Sequence, residues 1–295
     1  MKKACMNRRT FIKSSLTAAA GYSLLQAFPY HLFAGEAQKF AHDIVTLGNT
    51  GIKVSRLAMG TGSGGYNKQS RQTRLLGIKG VADLFEEAFD NGIVFWDSAD
   101  QYGSHPHIRE ALKRVPREKV VILTKTHATT EKEMKADLDR FRKEIGSDYI
   151  DIMLLHNMID PRWPMLKQGA MDVLGQARED GLIRAHGVSC HTIEALRIAA
   201  ITDWVQIDFA RINPYGVYMD AAVPEVLKVL DQMKQQGKGV IGMKIIGAGK
   251  LSKKIDESLQ YVMGQNSVDC FSVGMTSSHE FNDIVKRVPA ASVRG

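Results

Sequence analysis

From residue 40 onward the apolar positions alternate between two rhythms. Short β-rich runs at 57–62, 94–99, 120–126, 151–156, 185–190, 205–210, 239–246 and 270–275 read as strands. Between them, apolar residues recur every three or four positions, as helices require. Thr130 and Glu133 form a capping pair ahead of Met134, Leu138, Phe141 and Ile145, and Gly146 ends that run. Val81, Leu84, Phe85, Ala88 and Phe89 keep the same spacing before Asn91-Gly92. Pro224 opens a helix carrying Val226, Leu227, Leu230 and Met233, which stops at Gly237. The repeated strand–helix alternation predicts an α/β protein, a single (β/α)8 barrel (TIM barrel) over residues 38–295, with a doubly wound sheet as the second topology. Runs 44–47 and 52–54, joined through Gly48-Asn49-Thr50-Gly51, predict a β-hairpin ahead of the barrel.

Residues 1–37 follow neither rhythm. A basic start leads into a mildly apolar stretch at 16–33 and then the small residues Ala34, Gly35 and Ala37, the layout of a signal peptide. Asn7-Arg8-Arg9-Thr10-Phe11-Ile12-Lys13 resembles the twin-arginine export motif, with cleavage expected after Ala34 or Ala37. A stable membrane anchor needs about 20 apolar residues, and Gln26, Pro29 and His31 interrupt this stretch. The resemblance implies transient contact with the twin-arginine machinery, export of the protein already folded around its cofactor, and a periplasmic or extracellular destination.

Composition sharpens this picture. The formal charge of the 295 residues is +7, but residues 1–37 hold +4 of it, so the barrel carries no excess that calls for nucleic acid. A 44% hydrophobic and 24% charged chain is not a disordered one. Cys5 belongs to the leader, while Cys190 and Cys270 fall on the fifth and eighth strands, which are not neighbours, so no disulfide is expected. His105 and His107 flank Pro106 and are too few for a metal site, and no metal is expected.

Barrels of this kind carry their chemistry where strands finish, and polar residues gather there. Asp97 and Tyr102 follow the second strand, Lys125 closes the third and His156 the fourth; Ser189 ends the fifth and Gln206 lies in the sixth. Taken singly, each has a structural explanation. Taken together they make one chemical device. A tyrosine hydroxyl has a pKa of about 10, and a neighbouring ammonium stabilises its phenolate and lowers that value. An aspartate keeps the lysine charged and in place, and a histidine orients a carbonyl. Such a set suits proton donation to a carbonyl oxygen while hydride reaches its carbon from a cofactor, since no side chain supplies hydride.

These residues carry a resemblance to the aldo-keto reductase family that spans almost all of 38–295. It rests on Leu47-Gly48-Asn49-Thr50-Gly51, Gly60-Thr61-Gly62, Phe95-Trp96-Asp97-Ser98-Ala99-Asp100-Gln101-Tyr102-Gly103, Thr124-Lys125, His156 and Gly187-Val188-Ser189. The resemblance implies a catalytic tetrad of Asp97, Tyr102, Lys125 and His156. It implies NADP or NAD as a tightly held cofactor. The residues implied to hold it are Gly60, Thr61, Ser189, Gln206, Lys244, Gly247 and Thr276, with Ser189 and Gln206 on the nicotinamide carboxamide and 244–249 along the pyrophosphate.

The sequence departs from the family pattern at informative places. Cys190 stands where the family has Asn, and Met243 where an aromatic stacks on the nicotinamide. Met275-Thr276-Ser277-Ser278-His279-Glu280-Phe281 lacks the basic pair that the family presents to an adenosine 2′-phosphate, although Lys244 or Lys250 would compensate and free backbone donors near Thr276–Ser278 would hold a phosphate. Loops 63–77 and 157–168 are expected to wall the pocket, with Trp96 and Trp163 as apolar or sugar-stacking surfaces. The expectation is a monomeric, exported oxidoreductase interconverting a carbonyl (aldehyde, ketone or sugar) and its alcohol. The other class compatible with the sequence is a non-catalytic cofactor- or sugar-binding barrel acting as a sensor or partner subunit.

Overall fold

The computed structural model describes residues 38–292, so the leader reading of 1–37 lies outside the described residues. Each apolar run becomes a strand at nearly the expected place. After β1 (Ile44–Thr46) and β2 (Lys53–Ser55) come β3 (Leu57–Gly60), β4 (Phe95–Asp97), β5 (Val121–Thr126), β6 (Ile150–Met158), β7 (Ile183–Cys190), β8 (Ile207–Arg211), β9 (Gly239–Met243) and β10 (Cys270–Gly274). Strands β3 to β10 are parallel and close into a barrel, with β10 returning to β3 through the pairs Phe271–Leu57 and Gly274–Gly60. The doubly wound alternative is thereby excluded.

Two apolar layers follow from the strand alternation. Inward residues Phe95, Leu123, Ile152, Leu154, Ile207, Phe209 and Ile241 fill the barrel. Outward residues pack under the helices α1 (Arg71–Asp90), α2 (His105–Ala111), α3 (Glu131–Ile145), α4 (Trp163–Leu166), α5 (Gln168–Glu179), α6 (Ile193–Ile201), α7 (Val223–Gln235), α8 (Ile255–Met263) and α9 (Ser278–Ser292). Helix α3 starts on the expected capping box and ends at Gly146, whose φ of 76° is a conformation that favours glycine. Its Met134, Leu138, Phe141 and Ile145 are all buried.

The hairpin β1–β2 pairs antiparallel, and Leu47, Ile52 and Val54 join the inner cluster. The hairpin therefore plugs the amino end of the barrel and leaves the carboxyl end for chemistry. Trp96 and Trp163 do not reach that end: both are fully buried in the outer core, Trp96 against Phe85 at 4.5 Å between ring centroids. Their expected role as stacking surfaces is corrected to packing. Cys190 and Cys270 are buried and unpaired.

Candidate active site

The strand β4 stops at Asp97, and the chain turns through a single 3₁₀ turn, Asp100–Tyr102. That turn brings Tyr102 back over the barrel mouth. Its ring lies between Gly62 and Gly65: a Cβ at Gly62 would fall on Cε2, Cζ and Oη, and one at Gly65 on Cδ1 and Cε1. Both positions must be glycine for the ring to lie there.

Beneath the tyrosine, Lys125 is fully buried at the end of β5. Its ammonium is paired with the Asp97 carboxylate and donates to the Ser98 carbonyl at 2.9 Å. The second carboxylate oxygen of Asp97 accepts from Ser272 Oγ at 2.7 Å. Lys125 Nζ also lies over the faces of Tyr102 and Phe209, 5.0 and 4.4 Å from the ring centres. Burial pulls the Lys125 pKa down, against the opposing pull of Asp97.

The expected lowering of the tyrosine pKa is reversed. Burial, and then the negative charge of Asp97, push the Tyr102 hydroxyl above its ordinary value of 10.0. Desolvation of the ring dominates, and the lysine charge that would oppose it is paired with Asp97. Tyr102 is thus held as a phenol.

His156 sits where a register shift between Leu155 and Met158 interrupts the β6–β7 ladder, and Asn157 takes a left-handed φ of 63°. Its ring meets Tyr102 edge-on at 5.6 Å and stacks on His127 at 4.8 Å. Burial and the nearby Lys125 charge hold its pKa well below 6.5, so the ring is neutral, and its Nδ1 is buried without a partner. The tetrad expected from the sequence therefore converges on one spot.

A cleft of about 680 Å³ opens beside it, within the roughly 300–1,000 Å³ of small-molecule sites. Of the expected cofactor residues, Gly60, Lys244 and Thr276 line it. A Cβ at Gly60 would press on Ser272 Oγ at 2.7 Å. Lys244 has a left-handed φ of 58°, and its carbonyl accepts from Asn213 Nδ2 and from the Gly247 N–H. This kink ends β9 at Met243, three residues before the expected end of the run. Gly247 is buried inside the turn, where it shapes the wall formed by Ile246, Ala248 and Gly249.

Three expectations are corrected. Thr61 is buried, and its hydroxyl donates to the Asp97 carbonyl at 2.9 Å, so it braces the tetrad from outside the cleft. Gln206 precedes β8 at the amino end, where it lines a separate depression with Asn49 and Lys238 and accepts from the His186 N–H at 3.2 Å. The reason is parity and depth: Ile207 and Phe209 point inward, and Phe209 reaches the cleft that Gln206 does not. Of the donors expected over Thr276–Ser278, those of Thr276 are occupied, because Glu280 accepts from its N–H at 2.6 Å and its hydroxyl at 2.9 Å. Ser189 lies at the end of β7, where its hydroxyl accepts from the Asn157 N–H at 2.9 Å.

Ser272, Phe209, His127 and the α1 residues Arg71 and Arg74 also belong to this region and were not singled out by the sequence. Alternation from Cys270 and from Ile207 predicts that Ser272 and Phe209 face inward, and was the available signal. Asp100, His105 and Glu144 form a compact group of metal-ligand types, but Arg140 bonds Asp100 at 2.7 Å and Glu144 at 3.0 Å and takes the place a cation would fill.

The comparisons with known proteins agree with this architecture. The chain is 26% identical over 245 residues to the NAD/NADP-dependent indole-3-acetaldehyde reductase of Schizosaccharomyces pombe, covering 79% of this chain and 76% of that protein. It is 28% identical over 182 residues to the Glycine max protein named "Probable aldo-keto reductase 1", where the chain spans half of that relative's length. The solved holo form of the aldo-keto reductase AKR11C1 from Bacillus halodurans superposes with a TM-score of 0.68 at 17% identity, over 83% of this chain and 90% of that one. Residues 56–290 match the Aldo/keto reductase family, and the chain belongs to that family of oxidoreductases.

Proposed function

We propose that this chain is an exported NAD(P)-dependent oxidoreductase that interconverts a carbonyl of an aldehyde, ketone or sugar with its alcohol. The observation that carries the reading is the convergence of Asp97, Lys125 and His156, from the ends of β4, β5 and β6, around the Tyr102 ring at one open cleft.

The residues present fit a dinucleotide. The cleft has the volume for part of one, an open backbone at Gly64, and the cation Lys244 without an intramolecular partner among the described residues. Gly60, Lys244 and the 246–249 turn would hold it, with Ser189 near the reacting end and Met243 and Phe209 as apolar surfaces. When bound, the nicotinamide supplies hydride to the carbonyl carbon.

The chain's own residues manage the proton. Tyr102 donates its phenolic hydrogen to the carbonyl oxygen in reduction and takes it back in oxidation. Lys125, fixed by Asp97 and Ser98, places a positive charge below the ring and steadies the phenolate as it forms. Neutral His156 orients the carbonyl oxygen without competing for the proton. Export through the twin-arginine route is supported by Asn7–Lys13 and predicts that Arg8→Lys with Arg9→Lys leaves the precursor in the cytoplasm.

The test is mass and absorbance analysis of small molecules released from the purified folded protein, followed by titration with NADH and NADPH. Near-stoichiometric nicotinamide dinucleotide, or binding of either, is expected. A protein that carries neither and binds neither would overturn the reading.

A further inference from the structure

Three cations line the cleft with no ion pair or hydrogen bond from their charged groups among the described residues: Arg71, Arg74 and Lys244. Two of the three carboxylates that share the cleft are neutralised elsewhere: Asp97 is paired with Lys125, and Asp283 with Arg287 at 2.7 Å. Glu280 is bonded only to the neutral Thr276 N–H and hydroxyl and keeps its charge. Three cations therefore face one unpaired carboxylate, and the cleft is net positive.

Arg71 and Arg74 stand three residues apart, on one face of the first turn of α1. That turn is fastened to the cleft wall. Gln72, buried between them, receives the Ser63 N–H at 3.1 Å and donates to Ser63 Oγ at 2.7 Å, while the Arg71 N–H donates to the Ser63 carbonyl at 2.8 Å. Ser70 and Thr73 close a capping box over the same turn. Next to it Gly64 has a φ of +60°, and a Cβ there would meet nothing within 4 Å, so the backbone lies bare to the cleft. Guanidinium groups carried on a fastened turn beside an open glycine suit a phosphate, which arginine binds through paired charge-assisted hydrogen bonds.

We propose that Arg71 and Arg74 bind a phosphate group of the dinucleotide from the β3 side of the cleft, with Lys244 contributing from the β9 side, beyond β10. The proposal deepens the reductase reading and rests on it for the identity of the ligand. It also supplies the basic pair that the Met275–Phe281 segment lacks, from a distant part of the chain. Two phosphate sources share this chemistry: the pyrophosphate common to NADH and NADPH, and the 2′-phosphate of NADPH alone.

Calorimetric titration of the full chain with inorganic pyrophosphate, NADH and NADPH separates them, using wild type, Arg71→Met, Arg74→Met and the double variant. Both side chains are exposed, so unchanged melting temperatures are expected. The double variant should weaken binding by about tenfold to hundredfold, the loss of one or two charge-assisted hydrogen bonds. Equal losses for both dinucleotides and for inorganic pyrophosphate assign the pyrophosphate, and a loss confined to NADPH assigns the 2′-phosphate. Dissociation constants all within about twofold of wild type would overturn the proposal while leaving the reductase reading intact. Arginine-dependent binding of pyrophosphate by a protein that binds neither dinucleotide would keep the anion site and overturn the reductase reading.

Discussion

The Lys125 ammonium stands over the face of the Tyr102 ring, 5.0 Å from its centre, and points its hydrogen bonds at Asp97 and the Ser98 carbonyl. The lysine supports the ring without receiving a bond from it. Burial, and then the charge of Asp97, keep the phenol protonated, so Tyr102 rests in the form that reduction needs.

A pH asymmetry follows. Carbonyl reduction should be flat across neutral pH, since the phenol stays loaded, whereas alcohol oxidation should rise with pH and show no plateau below pH 10. Tyr102→Phe should lower turnover in both directions by about a hundredfold or more while leaving NADH or NADPH affinity within about twofold. Steady-state pH profiles and fluorescence titration check both halves.

Gly62 and Gly65 clasp the tyrosine ring from two sides. Gly65→Ala should displace the ring from its seat and lower kcat by roughly tenfold to a hundredfold, in line with the sensitivity of catalysis to small misplacements. Gly64→Ala, at the adjacent residue, meets open space but has a left-handed φ. It should instead lower the melting temperature by a few degrees, with kcat changed less than in Gly65→Ala.

Asp208 lies on the outer face of β8, fully buried, with the weak donor Cys190 thiol beside it and no N–H or hydroxyl donor. Burial, and then the charge of Asp220, raise its pKa to about 8. The folded state therefore keeps a proton that the unfolded chain releases near 3.8, and stability falls as pH rises between these values. Asp208→Asn removes that penalty. Denaturation at pH 5 and pH 8 should show the variant gaining on the order of a few kcal/mol relative to wild type at the higher pH.

His186 behaves in the opposite sense. It stacks on Trp204 at 4.2 Å and 12°, and burial lowers its pKa to about 4. The neutral ring is favoured in the fold, so its contribution is complete above pH 6.5 and disappears as pH falls toward 4. Between neutral pH and pH 4, acid melts should show wild type losing roughly 3 kcal/mol more than His186→Phe, the part of the loss that belongs to this group.

The barrel and the tetrad were legible because their signals are local. Strand runs, capping pairs and the spacing of Asp97 and Tyr102 are read within a few residues. What the sequence hid depends on depth and direction across the sheet. Gln206 has the right chemistry but the wrong end of its strand, and Thr61 sits beside Gly60 yet turns into the core to hold Asp97. Ser272, 175 residues from Asp97, meets it only because β10 closes onto β3. Arg71 and Arg74 look like ordinary surface residues until Gln72 is seen to fasten their turn to Ser63. Trp96 and Trp163 err in the other direction, since aromatic residues near strand ends serve the core as readily as the pocket.

The hairpin that carries Leu47, Ile52 and Val54 into the barrel divides the labour between its two ends. Those three side chains belong to the inner core, so the amino end is committed to stability. The loops at the opposite rim carry no such duty. Their sequence is free to change the reaction while the foundation under it stays put.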